Sequence, residues 1–339
     1  MKTQGIPVPV FEKIDRPRFD AEVRRAGRPA ILRGLAGDWP AVHAARTSPR
    51  ALGDYLHRAD VGRSVRVSIS PKGQRRRFFY NETLSGVTFD TVGGTLSQVV
   101  GLLLANQAAD GREDAEAIYM QAVPVAEAAP GLAADLSMPL LDPGVLPRLW
   151  LGNSLRTATH FDYASNIAVH VAGAKTFTLF PPDQAANLYP GPLDFTPAGV
   201  PISMVDFDAP DLVRYPCFAE ALQSAEVARL EPGDALFIPP LWWHHVDTVG
   251  PLNMLVNYWW DEVKTAPVEP LTTLFAAAAA IQDMPPAQRA AWRELFNYYV
   301  FRASGDPAAH LPPGLRGVFA DPPDPRALER LRRTLAQGR

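Results

Sequence analysis

Two short clusters hold side chains able to ligate a metal ion. The first is Thr157-Ala158-Thr159-His160-Phe161-Asp162. In an extended segment alternate side chains share a face, so His160 and Asp162 would deliver an imidazole and a carboxylate to one point. The second is Pro239-Pro240-Leu241-Trp242-Trp243-His244-His245. A further imidazole from there would complete a set of two histidines and one carboxylate. Such a set covers one face of an octahedral ion and leaves three positions open, which suits non-haem Fe(II). Taken alone, each cluster has a plainer account: a histidine satisfied by a neighbouring carboxylate, and an aromatic core corner. Of the other histidines, His43, His57 and His310 lie in polar or loop-like surroundings, and His170 lies inside an alternating strand.

A third feature changes the balance. The chain has five lysines against 28 arginines. One of them, Lys175, sits between Val169-His170-Val171 and Phe177-Thr178-Leu179-Phe180, in a stretch that otherwise reads as buried sheet. An unpaired buried ammonium is costly, so an anionic ligand is one answer. A dicarboxylate held at the metal by one end would reach Lys175 with the other. The other answer is that Lys175 starts a hairpin and snorkels to water. Spacing alone leaves both open.

The elements that must position these residues are legible in part. Asp15-Arg16-Pro17 predicts a short helix over 19–26, closed by Gly27. Ala30-Ile31-Leu32 predicts a buried strand. Ser48-Pro49 caps a helix running to Leu56, and Thr95-Leu96-Ser97-Gln98 resembles a capping box before a helix over 99–105. Val65–Ile69 and Ile118–Val123 read as strands. From Leu149 to Trp260 short Val/Ile/Phe/Thr-rich segments alternate with Pro/Gly/Asp turns. The expected strands are 149–151, 166–171, 176–180, 226–230, 235–238 and 253–258, with tight turns at Gly173 and Gly233. Such spacing suggests a sandwich or barrel. After Pro267 the pattern is helical: 272–283, then 287–302 with Trp292, Leu295, Phe296, Tyr299 and Val300 on one stripe, then a weaker helix on Leu328, Leu331 and Leu335.

Composition sets the outer limits. With 339 residues, 47% of them hydrophobic and 20% charged, the chain can bury a sizeable core. A net charge of -3 gives no global case for nucleic acid or an anionic membrane. The basic run Arg75-Arg76-Arg77 reads as a solvated loop. One cysteine, Cys217, allows no internal disulfide, and no apolar stretch approaches the ~20 residues a membrane helix needs. The expectation is a cytoplasmic protein with no membrane partner.

The stretch from Tyr119 to Trp260 resembles the JmjC-type, cupin-like 2-oxoglutarate oxygenases, most closely those that hydroxylate an asparagine of hypoxia-inducible factor. The matching residues are Thr157-x-x-His160-Phe161-Asp162, Asn166, Gly173-x-Lys175, Leu179-Phe180-Pro181-Pro182-Asp183-Gln184, Val205-Asp206-Phe207-Asp208, Gly233-Asp234-x-Leu236-x-Ile238-Pro239, Trp242-Trp243-His244-His245 and Val256-Asn257-Tyr258-Trp259. Arg33-Gly34-Leu35 and Trp39-Pro40-Ala41 resemble the same group further upstream.

That resemblance implies the following. His160, Asp162 and His244 would bind Fe(II), with His245 in a supporting role. Lys175 would pair with the distal carboxylate of 2-oxoglutarate, and Tyr119 and Thr157 would hydrogen-bond it. Asn166 and Asn257 would lie beside the co-substrate and metal, with Trp259 walling the pocket. The implied fold is mainly β with flanking helices: a double-stranded β-helix, or jelly-roll, with C-terminal helices. Residues 1–115 would form an α/β segment flanking the core, 116–262 the catalytic jelly-roll, and 263–339 a helical region that pairs two chains as a homodimer. The implied activity is dioxygen-dependent hydroxylation of a C–H bond of a protein or peptide side chain. A small metabolite or a tRNA nucleoside is the alternative substrate. A Zn(II)-binding or non-catalytic cupin-like protein is the alternative class. Ala168 departs from the aromatic residue of the asparaginyl hydroxylases, and residues 75–81 and 191–204 match nothing in them.

Overall fold

A computed structural model describes residues 5–112, 114–193, 195–197, 199–261 and 269–336. The chain falls into two compact units, residues 1–262 and 263–339. The expected limit at 262/263 itself lies outside the described residues.

Among the described residues the first unit is built on twelve strands: β1 (Ile6–Pro7), β2 (Val10–Glu12), β3 (Ala30–Arg33), β4 (Val65–Ser70), β5 (Asp90–Gly94), β6 (Ala117–Pro124), β7 (Pro147–Gly152), β8 (Leu155–His160), β9 (Ser165–Phe180), β10 (Glu226–Leu230), β11 (Ala235–Ile238) and β12 (Trp243–Trp260). Hydrogen bonding runs in the order β2-β3-β11-β9-β12-β7-β6-β4-β5, so the sheet passes residue 115 without a break.

The two long strands generate the jelly-roll. In β9, residues 166–169 pair with β11 and residues 165–172 with the far half of β12. Beyond Gly173 the same strand pairs with β10 and with residues 243–249 of β12, and that near half of β12 pairs with β8 on its other edge. Both strands therefore change layer at one place. The joint lies at Gly173 (φ +84°) and Gly250 (φ +125°), and the register between the strands slips there. Gly173 is thus not the hairpin turn expected from the sequence. It is a bend in an unbroken strand, and it is glycine because a Cβ would sit 1.7 Å from Asn253 Oδ1. Asn253 is held by its own Nδ2, which donates to Gly250 O at 2.7 Å. Gly233 does occupy a turn, between β10 and β11, with φ +102°.

Alternation along the strands sorts side chains into two cores. Ile167, Val169, Val171, Met254, Val256 and Tyr258 face outward onto helices, joining Leu52, Leu56, Leu96 and Leu103 in the main hydrophobic cluster. Those leucines come from the helices Pro49–Ala59 and Leu96–Ala105, each capped as its sequence requires: Ser48 accepts from Ala51 N, and Thr95 and Gln98 form the reciprocal capping box. Each buried leucine contributes roughly 1.5–3 kcal/mol. Ala168, Phe177, Leu179, Leu236, Ile238, Val246 and Leu255 face the interior between the layers, where the candidate site lies.

The second unit holds the helices Pro270–Ile281, Pro286–Leu295 continuing into a wider turn over Phe296–Val300, and Pro325–Ala336. Tyr299 stacks on Phe319 with ring centroids 5.6 Å apart. Leu274, Trp292, Leu295, Val300 and Phe301 remain exposed. No helix among the described residues is long and apolar enough to cross a membrane.

Candidate active site

His160 closes β8 and His244 opens β12, and the two are direct partners across the antiparallel pair. Facing residues have their side chains on one face, which brings the rings to a centroid distance of 4.2 Å. Asp162 follows just beyond the strand end, with Oδ2 3.9 Å from His244 Nε2. One ligand atom from each of the three lies within 4.8 Å of the others.

Backbone carbonyls fix the ring tautomers. His160 Nδ1 donates to Ala158 O at 2.9 Å, and His244 Nδ1 donates to Trp242 O at 3.0 Å. A carbonyl can only accept, so each Nδ1 carries a proton and Nε2 is the ring nitrogen left to face a metal. Burial keeps His244 neutral, pushing its pKa down to about 4; His160 beside it adds to this, and Asp162 opposes it. Two imidazole nitrogens beside a carboxylate are the donor set a divalent transition metal takes. The residues fit Fe(II).

A cavity opens beside this triad. Its walls include Tyr119, Thr157, Asn166, Lys175, Asn257 and Trp259 together with His160, Asp162 and His244, so every site residue expected from the sequence reaches one cavity. Lys175 is buried at 7% exposure and does not snorkel. Its Nζ donates to Thr248 Oγ1 at 3.0 Å, and among the described residues no carboxylate pairs with it directly. Burial pushes its pKa down to about 7, with Asp247 partly opposing the shift. Asn257 Nδ2 donates to Asn166 Oδ1 at 2.7 Å, which fixes both amides and leaves Asn257 Oδ1 without a partner. Burial raises the Tyr119 hydroxyl pKa, so it remains a protonated donor near Thr157.

The cavity walls also include residues that sequence reasoning missed: Trp150, Phe177, Ile238, Val246 and Leu255. Trp150 packs between Tyr119 (5.5 Å) and Trp259 (5.8 Å). Their signal was the strand alternation itself, since Leu255, Asn257 and Trp259 share one face of β12. Thr248, the partner of Lys175, had no signal beyond its register position opposite that lysine.

His245 points away from the triad. It is buried, stacks on Phe207 at 4.2 Å, and has no hydrogen-bond partner at either ring nitrogen. His170 is wholly buried and holds Gly173 O through Nε2 at 2.9 Å. His43, His57 and His310 are exposed.

The basic run is not a solvated loop, which corrects the expectation. Arg75 and Arg77 both bind Asp206 Oδ2, at 2.7 and 2.8 Å, and Arg76 is buried. Arg156 Nε lies 2.9 Å from Asp208 Oδ2. These pairs clasp the segment 75–81 to the segment after Ile202. Both acids lie far along the chain from the arginines, so composition could not reveal them.

A family model described as a cupin-like domain matches residues 16–266. The chain belongs to that family. Among curated proteins it is similar to human HSPB1-associated protein 1 from Homo sapiens, 34% identical over 148 residues, which is 42% of this chain and 30% of the relative. It is similar to tRNA wybutosine-synthesizing protein 5 from Mus musculus, 25% identical over 287 residues, covering 78% of this chain and 80% of the relative. It is also similar to lysine-specific demethylase JMJ31 from Arabidopsis thaliana, 35% identical over 113 residues, covering 33% of this chain and 20% of the relative. The match thus spans under a third of HSPB1-associated protein 1 and of the demethylase. The broad likeness to cupin-like, JmjC-type proteins holds, and the mainly β fold with flanking helices agrees with it. None of these three relatives is named as an asparaginyl hydroxylase.

Proposed function

We propose that this cupin-like protein is an Fe(II)- and 2-oxoglutarate-dependent oxygenase that hydroxylates a C–H bond. The observation that carries the reading is the pairing, in one cavity, of a His160–Asp162–His244 ligand set with the buried cation Lys175. The demethylase and wybutosine-synthesizing names of two relatives agree with enzyme chemistry on this fold.

When bound, Fe(II) with 2-oxoglutarate and dioxygen supplies the oxidation: one oxygen atom enters the substrate C–H bond, and the other leaves in succinate as carbon dioxide is released. The chain's residues bind, orient and exclude water. His160, His244 and the Asp162 carboxylate would hold the ion. Lys175, Thr157 and Tyr119 receive the distal carboxylate of the co-substrate. Trp150, Trp259, Phe177 and Leu255 keep the chamber apolar, so polar contacts within it are not weakened by solvent. Asp162 is the only carboxylate lining the cavity among the described residues. A Zn(II) hydrolase would want a second carboxylate as general base, and that weighs against it.

For substrate, a protein or peptide side chain rests on the resemblance to asparaginyl hydroxylases. A tRNA nucleoside is the second reading, favoured by the long alignment to the wybutosine-synthesizing protein. We also take the exposed apolar residues of the C-terminal helices as support for a homodimer, which sedimentation equilibrium reads directly. The oxygenase reading is tested by supplying Fe(II), 2-oxoglutarate and ascorbate to the full chain and measuring succinate. Turnover that survives His160→Ala or Asp162→Ala unchanged would overturn it.

A further inference from the structure

A second cavity meets the metal chamber at Tyr119 and Thr157. Ile202 places it relative to the metal. Ile202 pairs across an antiparallel bridge with His160, and Ser203 N donates to Thr159 O at 2.7 Å. Directly opposed residues put their side chains on the same face about 4.5–5.5 Å apart. The buried Ile202 side chain therefore borders the imidazole that would ligate the metal.

The rest of the lining has the same character. Phe78, Ala158 and Pro197 are apolar, and Phe78 packs against Tyr119 and Phe89 with centroids 5.7 and 5.3 Å apart. Among the described residues no charged side chain lines the cavity. The one amide, Gln121, spends its Nε2 on Ser68 Oγ at 3.3 Å. Of the charges nearest in sequence to these walls, buried Arg76 has no acidic partner among the described residues but is not part of the lining, and three others are matched. Asp206 holds Arg75 and Arg77, and Arg156 lies against Asp208. A carboxylate, ammonium or phosphate on the incoming group would be stripped of water here with no opposite charge to meet it, which is strongly unfavourable.

From this lining we infer that the group offered to the metal is an uncharged hydrocarbon side chain of the leucine, isoleucine or phenylalanine type, carried by a peptide, with Ile202 and Phe78 setting that preference. This rests on the oxygenase reading for its chemistry but not for its binding. The chain's net charge of -3 argues for a peptide over a polynucleotide.

The test uses the full chain and N-acetyl, C-methylamide derivatives of leucine, phenylalanine, asparagine, aspartate and lysine, with N6-isopentenyladenosine as an apolar group on a nucleoside. Binding is read by saturation-transfer NMR and turnover by succinate release. The expected result is that the leucine or phenylalanine probe binds at least tenfold more tightly than the aspartate and lysine probes. Ile202→Gln should abolish that preference and favour the asparagine probe, while Ile202→Val should keep it. Retained 2-oxoglutarate binding shows that each variant is folded. Equal or tighter binding of a charged or asparagine probe by the wild type, binding of the nucleoside alone, or no binding of either apolar probe at 10-fold excess over the others overturns the inference. Selective apolar binding without succinate would leave the inference standing and remove the oxygenase reading instead.

Discussion

Replacing Lys175 by methionine should move stability and co-substrate affinity in opposite directions. In the ligand-free chain this ammonium is buried at 7% exposure with a single hydroxyl partner, Thr248. Methionine keeps the length of the side chain and removes the charge. Burial has pushed the Lys175 pKa from 10.5 to about 7. Below pH 7 both folded and unfolded chains carry the proton, and the folded state bears the full cost of the buried charge. Between pH 7 and 10.5 the folded chain sheds the proton first, so that cost fades as pH rises. The variant should therefore be more stable than wild type by on the order of 1–3 kcal/mol near pH 6.5, several degrees in Tm, with the gap closing toward pH 10. Affinity should change the other way. Truncating one partner of a buried, hydrogen-bonded charge pair costs about 2–5 kcal/mol, or roughly 30- to 3,000-fold in Kd for 2-oxoglutarate. Melting curves from pH 6 to 10 and anaerobic calorimetry with 2-oxoglutarate read both effects. A variant that binds 2-oxoglutarate within threefold of wild type, or that is less stable at pH 6.5, would refute the assignment of Lys175 as the anchor.

The same pKa predicts that wild-type affinity for 2-oxoglutarate declines as pH rises above about 7, with proton uptake on binding at pH 8; titrations at pH 8 in two buffers of different ionisation enthalpy measure that uptake, and none would contradict the prediction. Gly173→Ala should lower stability by more than about 2 kcal/mol, since the added methyl group meets Asn253 Oδ1 and the φ of +84° is left-handed. Adding Asn253→Ala should recover part of that loss, leaving about 1–2 kcal/mol from the backbone alone; a double variant no better than the single one would show that the clash is not the cause. Asp206→Asn should loosen the clasp on Arg75 and Arg77, speeding proteolysis near residues 71–81 while 2-oxoglutarate binding is retained; unchanged cleavage would show that the clasp contributes no rigidity.

Local chemistry was the most readable part of this fold. The Thr95–Gln98 capping box, the Ser48-Pro49 helix start and the Ala235–Ile238 strand follow from hydrogen-bonding and burial rules that act within a few residues. The long strands were not readable. β9 and β12 each cross between layers, and a glycine bend inside a strand has the same sequence appearance as a hairpin turn. β5, Asp-Thr-Val-Gly-Gly, sets two strand formers among three residues depleted from strands, and it pairs along its whole length with β4. The helix Pro40–Thr47 has a proline at its first turn but no side-chain cap, and it went unread. At the site, the expected residues do share one cavity, because alternation and the His-x-Asp spacing are short-range geometry. Thr248 and the Arg–Asp clasp needed the tertiary register, which brings together residues with no local signal.

The most direct measurement of the central claim is an anaerobic Fe(II) titration of the full chain followed by 2-oxoglutarate. One Fe(II) per wild-type chain is expected, with 2-oxoglutarate binding tightly only once metal is present. His160→Ala, Asp162→Ala and His244→Ala should each weaken Fe(II) by more than about 100-fold, beyond the effect of losing an outer hydrogen bond to a ligand, while His43→Ala, at an exposed position, should leave it unchanged. Wild-type Fe(II) affinity in any two of the three site variants would contradict the assignment of this triad as the metal centre.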